Sequence, residues 1–261
     1  METLMIIYSN PTEESREDEF NNWYTWVHIR DVMSLEGSIA VQRFELDSHQ
    51  PENPFTTCKY LALYEIASKD ACSQGHADRL LTWRMRVSTA FDFPSHIEGY
   101  WDPVHSTADF AEYADYKGDK AVLIVRIKAK GSEKVEDILA IDTLNKIAGL
   151  PGFVAAHLNI YAKDQMATTL ANPPEPMSHT LVCQLSDSAA ASAAWDGYLN
   201  NHPAIWKGLK FESAMYKPVI DRFKACDRIK SPEWRAISFL SHAILGLVGE
   251  VKPEDNVSLF D

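Results

Sequence analysis

One stretch near the amino terminus combines aromatic residues with a histidine and a carboxylate at helical spacing. Positions i, i+3, i+4 and i+7 would form an apolar helix face from Phe20, Trp23, Tyr24 and Val27. His28 lies at the edge of that face, and Asp31 follows one turn later. An imidazole there can move a proton near neutral pH, and Asp31 would orient its ring and raise its pKa above the usual ~6.5. His28 is therefore a candidate acid or base; the alternative is a histidine that only packs and satisfies a backbone carbonyl.

Arg43 stands in a predicted strand and would share a face with Val41. A guanidinium on a buried face needs an acidic or oxyanionic partner. Arg43 would then bind a carboxylate or phenolate of a ligand, or form a structural ion pair with Glu65 or Asp102.

Other aromatic residues of the first half would suit a cavity for a flat apolar ligand. Tyr100 and Trp101 fall in one predicted strand and would point to opposite faces, while Trp83 adds bulk in the helical region before it. The alternative is ordinary core packing. The candidate substrate-binding residues are Trp23, Trp83, Tyr100 and Trp101.

The spacing of histidines and cysteines does not indicate a metal site. No HxxxH, HExxH or CxxC pattern occurs, and the four cysteines lie far apart, which also argues against a disulfide framework. GxGxxG, Walker and GxSxG motifs are missing too. We expect no cofactor; haem is the alternative, because it needs one axial histidine and His157 or His202 would be the candidates.

Composition limits the partners that we expect. A net charge of −12 and a pI near 5.2 argue against nucleic acid, which requires a basic surface. No apolar run reaches the ~20 residues of a membrane span, and the first residues lack the pattern of a signal peptide. The sequence predicts a cytoplasmic protein with free thiols, as a monomer or homodimer, without nucleic-acid or membrane partners.

Two blocks of sequence recur at an offset of 115 residues. Residues 35–46 match 150–161 through a shared Leu-x-Gly start, and 100–104 match 215–219 through an aromatic-x-Pro-Val pattern. The predicted elements of each half follow the order βαββαβ, which is typical of a ferredoxin-like unit. They include a helix from Asp70 to about Ala90 in the first half and one from Ser132 to Ala148 in the second. Since each such sheet leaves one face uncovered, two of them would close face to face.

The predicted fold class is therefore α+β, with two ferredoxin-like repeats closing into an intramolecular α+β barrel, plus a C-terminal helix. The boundaries are 1–105 for the first repeat, 106–119 for a linker, 120–222 for the second repeat and 223–261 for a helical tail. The tail would begin a helix at Ser231 that either covers core or acts as a lid.

The first half resembles the dimeric α+β barrel superfamily, particularly its EthD-like branch. The resemblance rests on an Asn-Pro after the first strand, a Trp-Tyr-x-x-Val-His-x-x-Asp helix, and a Gly and an Arg-Phe around the second strand, here Asn10, Pro11, Trp23, Tyr24, Val27, His28, Asp31, Gly37, Arg43 and Phe44. The helix of the second half has no counterpart to these Trp, Tyr, His and Asp residues. The resemblance implies the fold and a cavity; its members include cofactor-free monooxygenases, cyclases, isomerases and haem-handling enzymes.

We predict a cofactor-independent enzyme of the lyase, isomerase or cyclase type that acts by proton transfer on a hydrophobic, aromatic small molecule. His28 would move the proton, and Arg43 or Tyr24 would stabilise the developing oxyanion. The alternatives are a cofactor-free monooxygenase of the same fold and a non-catalytic or haem-binding protein. Because the first half alone has these residues, we expect one cavity, formed chiefly by that half.

Overall fold

The computed structural model describes residues 1–52, 54–80, 82, 85–110, 120–162 and 177–224. The strands are β1 Thr3–Ser9, β2 Ser38–Leu46, β3 Tyr60–Ile66, β4 Ile97–Ser106, β5 Val122–Ala129, β6 Phe153–Tyr161, β7 His179–Leu185, β8 Leu209–Pro218 and β9 Phe223–Lys224. The α-helices are α1 Glu17–Trp23, α2 Ile29–Met33, α3 Lys69–Arg79, α4 Val135–Ile138, α5 Ile141–Ala148, α6 Ser188–Asn201 and α7 Pro203–Trp206. Most of the predicted tail, including its helix from Ser231, lies outside the described residues.

Eight antiparallel strands close into a barrel. Their order is β3-β1-β4-β6-β7-β5-β8-β2, and β2 returns to pair with β3. The last strand of each half pairs with the second strand of the other half, β4 with β6 and β8 with β2. The short β9 pairs with the part of β2 that β8 leaves free. The predicted α+β class and the closed barrel are confirmed.

Alternation along the strands produces three separate cores. Leu4, Ile6 and Tyr8 of β1 point into the barrel, whereas Met5 and Ile7 face the helices of the first half. The helices of the second half cover the outer face of its own strands in the same way. Side chains thus fill the barrel, and a cavity between sheet and helices would lie outside it.

Two predicted helices differ from those observed. α3 ends at Arg79 rather than near residue 90, because Leu80 takes an extended conformation with ψ of 134°. The predicted helix at 132–148 is two short helices, broken where Ala140 is extended with ψ of 166°. After α3, residues 85–96 are largely irregular and contribute Val87 and Phe91 to the packing against α1.

A helical run from residue 14 to residue 33 crosses the first half. It opens with a 3₁₀ turn at Glu14–Arg16, and a π-helical turn at Tyr24–His28 joins α1 to α2. A second 3₁₀ turn, Phe93–Ser95, precedes β4. Among the described residues, no helix combines the length and apolar character that crossing a bilayer requires.

Candidate functional site

A small cavity lies between the helices of the first half and the outer face of its sheet. Its volume is about 30 Å³, close to the share of liquid volume that one water molecule takes. The apolar wall consists of Ile7, Trp23, Leu80, Val87, Phe91 and Phe93. The polar wall consists of Tyr24, His28, His76, His96 and Glu98. Three predicted site residues, Trp23, Tyr24 and His28, therefore meet at one cavity.

The π-helical turn positions His28. Turns of this kind are rare and occur often at functional sites. The imidazole of His28 stacks on Trp23 with ring centroids 4.8 Å apart and meets the Tyr24 ring edge-on at 5.0 Å. Its Nδ1 is buried and has no hydrogen-bond partner among the described residues. The ring is thus held by aromatic contacts, while one nitrogen is left for another partner.

Burial decides the charge of His28. It lowers the pKa of the imidazole to about 3, and the neighbouring His76 acts in the same direction. Glu98 opposes this shift but does not outweigh it. His28 is therefore neutral near pH 7, and one of its ring nitrogens is unprotonated. The expected rise of its pKa above 6.5 is wrong, because loss of hydration outweighs the nearby carboxylate.

Glu98 is the carboxylate that acts on His28. It comes from β4, where it shares the helix-facing side with Tyr100. Burial alone would raise the pKa of Glu98, but the imidazoles of His76, His96 and His28 together lower it. Glu98 is therefore an anion in the cavity wall.

His76 on α3 is the nearest charged partner of Glu98. Its Nδ1 lies 3.4 Å from Glu98 Oε1. Burial would lower the pKa of His76, but Glu98 outweighs that effect and raises it. His96 is oriented differently, through a contact between its Nδ1 and the carbonyl of Phe93.

His76, His96 and Glu98 line the cavity but were not predicted from the sequence. One signal was present: the alternation that placed Tyr100 on one strand face also placed Glu98 there, two residues earlier. A carboxylate on a buried strand face requires a partner. Nothing in the sequence identified histidines from α3 and from the loop before β4 as that partner.

Asp31 lies on α2 and is among its buried residues. Its carboxylate is buried, and burial raises its pKa to about 8 against the opposing influence of Arg30 and Arg79. Arg30 and Arg79 are the charges that act on Asp31, and its predicted role of orienting His28 stays a prediction.

Arg43 is fully buried but does not line the cavity. Its guanidinium donates to Thr25 Oγ1 at 2.9 Å and to Asn21 Oδ1 at 2.6 Å, and lies 4.6 Å from the centroid of the Tyr24 ring. Burial lowers its pKa to about 10. The guanidinium therefore lies among neutral acceptors and aromatic faces, and it contacts the Tyr24 ring of the cavity wall.

The two structural partners predicted for Arg43 are wrong. Glu65 points into the barrel and binds Arg222, and Asp102 binds Lys69 at 3.3 Å. Strand alternation explains the first case, since Glu65 lies on the inner face of β3 whereas Arg43 faces the helices.

The remaining predicted aromatic residues lie away from the cavity. Tyr100 faces the helices and contacts Cys72 Sγ at 3.9 Å, whereas Trp101 points into the barrel, edge-on to Tyr161. Their predicted placement on opposite faces is confirmed, but neither lines the cavity. Trp83 lies outside the described residues.

The haem-ligand candidates differ in exposure. His157 is buried in the barrel, with its Nε2 3.1 Å from Gln184 Oε1, and His202 is exposed beside Tyr198. Within the described ranges, no group of three or more His, Cys, Asp or Glu side chains is arranged to hold a metal ion.

The second half has different residues at the equivalent positions. In α6, Trp195 occupies the position, counted from the N-cap of the helix, that His76 occupies in α3. Ser213 is the equivalent of Glu98, because the two positions are 115 residues apart. Trp195 is fully buried against Trp206 and Tyr198. A large indole thus replaces an imidazole, and a hydroxyl replaces a carboxylate, so the described part of the second half does not repeat the charged cluster.

Comparison with known proteins assigns the fold. No family model and no curated protein matches the chain. Among solved structures, an anthrone oxidase-like protein is 14% identical with a TM-score of 0.56, covering 85% of this chain and 92% of its own. A provisionally named monooxygenase from Lactobacillus acidophilus is 10% identical with a TM-score of 0.49, covering 86% and 97%. A haem-binding protein from Thermus thermophilus is 10% identical with a TM-score of 0.44, covering 85% and 93%.

The chain has an α+β barrel fold. The anthrone oxidase-like protein carries this assignment, and at 14% identity the likeness extends to the fold alone.

Proposed function

We propose that this chain is an enzyme without a bound cofactor that removes a proton from a hydrophobic, aromatic small molecule at His28. One observation carries the proposal: a buried, neutral imidazole with an unpartnered Nδ1 lies in a cavity wall that also contains the anionic Glu98. An acid–base group in a cleft with a strongly shifted pKa is a typical catalytic arrangement.

The proposed step moves one proton. The lone pair of His28 takes a proton from a C–H or O–H group of the substrate, and the electron pair of the broken bond stays on the substrate. Glu98 then stabilises the resulting imidazolium. Tyr24, whose ring lies against the Arg43 guanidinium, would stabilise the substrate anion. Returning the proton to another atom gives isomerase chemistry, and expelling a leaving group gives lyase chemistry.

A ring-sized substrate needs more room than the present cavity offers. The wall at residues 85–96 is largely irregular and contributes Val87, Phe91 and Phe93. These side chains stand where an aromatic substrate would lie against Trp23, so we propose that they move aside on binding.

Cofactor-free oxygenation is the second candidate. It is favoured by the structural likeness to a protein described as anthrone oxidase-like. An anthrone is an aromatic carbon acid, and its anion can transfer electrons to O2. Both candidates begin with the same deprotonation at His28, and they differ in whether O2 is consumed.

The finer organisation of the chain is also part of the proposal. The 115-residue offset of the sequence blocks, together with the same strand order in each half, supports two EthD-like repeats with the boundaries predicted above. A non-catalytic or haem-binding role would use the same fold without proton transfer at His28. Cytoplasmic location and a monomeric or homodimeric state stay predictions.

The test uses aromatic carbon acids, anthrone among them, with and without O2. Absorbance would follow formation of the anion, and an oxygen electrode would follow O2 uptake. We expect His28→Gln to abolish turnover while ligand affinity survives. The matched control is His202→Gln, which changes an exposed histidine of the second half. Turnover by His28→Gln equal to that of the control would overturn the assignment of the base.

A further inference from the structure

We propose that Glu98 and His76 form a positioning pair that decides whether His28 accepts the substrate proton. This inference deepens the proposed function, on which its catalytic meaning rests. Its structural part concerns the free protein and can be tested without a substrate.

Glu98 lies close to His76 but does not form a hydrogen bond with it. The 3.4 Å separation between His76 Nδ1 and Glu98 Oε1 is an ion-pair distance, yet neither atom has a partner in hydrogen-bond geometry among the described residues. His28 Nδ1 is a third shielded atom in the same condition. Burying such groups without hydrogen-bond partners destabilises the folded protein. The carboxylate of Glu98 lies near several imidazoles. Turning toward the imidazole that carries a proton would therefore stabilise the protein.

The charge on His28 depends on which of two protonation states His76 adopts. When His76 is protonated, it forms an ion pair with Glu98 and disfavours protonation of His28. When His76 is neutral, Glu98 is free to stabilise the imidazolium of His28. The other charged or titratable groups that act on His28 are Arg43 on β2 and His96 before β4, and both oppose its protonation.

The consequence is that His76 controls the pH dependence of the site. As pH rises through the raised pKa of His76, the proton leaves this residue and His28 becomes the better base. The pH limb of turnover would then follow His76, and not the low pKa of His28 itself. In a His76→Gln variant that limb of the pH profile should disappear.

NMR titration of the histidine ring protons in the full-length protein tests the pair directly. In His76→Gln, the titration midpoint of His28 should rise by roughly one pH unit, the scale of a single removed neighbouring charge. The internal control is His157, which is buried in the barrel and should titrate as in the parent protein. An unmoved His28 midpoint in a folded His76→Gln protein would refute the proposal.

A second variant covers the case in which His76→Gln does not fold. In Glu98→Gln, which keeps the shape of the side chain, the midpoint of His76 should fall, because its stabilising anion is gone. An unchanged His76 midpoint would also refute the pair. Correct shifts without turnover on any carbon acid would instead leave the pair intact and count against the proposed function.

Discussion

Gly37 and Gly152 lie 115 residues apart and have the same left-handed backbone, with φ of 87° and 81°. A Cβ on Gly37 would lie 2.6 Å from the carbonyl oxygen of Ser68, and one on Gly152 would lie 2.5 Å from that of Asp187. Ser68 and Asp187 are the N-caps of α3 and α6. Each half thus packs the turn before its second strand against the start of its second helical region, with room for hydrogen alone.

Replacing either glycine by alanine should therefore destabilise the protein. The left-handed conformation costs about 1–2 kcal/mol for a residue with a Cβ, and the contact with a backbone carbonyl adds to it. Chemical denaturation would measure the change in the free energy of unfolding. Gly131→Ala is the matched control, because a Cβ there meets no atom within 4 Å. A loss equal to that of the control would contradict the packing argument.

These glycines also show what the sequence could reveal. The Leu-x-Gly starts and the alternation in β2, β3 and β6 depend on local chemistry, so the strands and barrel were predictable. The cavity was predictable only where its residues share one helix. Glu98 and His76 are brought together by packing of α3 on β4, and no local pattern contains that contact.

The ion pair between Arg222 and Glu65 predicts a large effect on stability. Both side chains are buried, and two hydrogen bonds join them. Arg222→Met should cost about 3–5 kcal/mol, because it leaves a carboxylate buried without its cation. Adding Glu65→Leu in the same chain should recover much of that loss. A double variant less stable than Arg222→Met would contradict this reasoning.

An exposed ion pair provides the comparison. Lys217 Nζ lies 3.0 Å from Glu45 Oε1, with both side chains partly in solvent. Lys217→Met should change the free energy of unfolding by less than about 1 kcal/mol. Urea denaturation of both methionine variants under one buffer condition would show the difference.

His28 should contribute to acid sensitivity. Because its folded-state pKa of about 3 lies below its ordinary value of 6.5, the unfolded chain takes up the proton first. Stability is therefore present above pH 6.5 and is lost as pH falls toward 3, by up to about 1.4 kcal/mol per pH unit.

Thermal unfolding between pH 4 and pH 7 would measure this contribution. His28→Gln should give a shallower decline in stability than the parent protein, whereas the exposed control His202→Gln should leave the slope unchanged. Equal slopes in all three proteins would show that His28 is not buried as described.

Trp195 should matter for the second half alone. It is fully buried between Trp206 and Tyr198, so Trp195→Ala should cost about 3–5 kcal/mol through the cavity left behind. At a temperature where the variant is folded, the NMR titration of His28 should be unchanged. A shifted His28 midpoint would show that the two outer cores are coupled.

A fragment of residues 1–118 tests closure of the barrel. Its inner face presents apolar side chains such as Leu4, Ile6 and Leu63, which the second half covers in the full chain. We expect this fragment to pair with itself or to aggregate, because that face would meet water. Light scattering after size-exclusion chromatography would show it. A stable monomeric fragment would argue against the closure.

The two halves of the barrel are joined at two strand pairings, β4 with β6 and β2 with β8, which we call seams. The residues that pair at these two seams differ in their separation along the chain, and this affects the order of folding. β4 and β6 pair from Trp101 with Tyr161, only 60 residues apart, whereas β2 meets β8 through three pairs that include Phe44 with Pro218, 174 residues apart. Closing the longer loop costs about 1 kcal/mol more in chain entropy. The chain should therefore first form an open eight-stranded sheet in which β2 and β8 are not yet paired. The β2–β8 seam then forms last, and its amide protons should exchange soonest when the native protein opens.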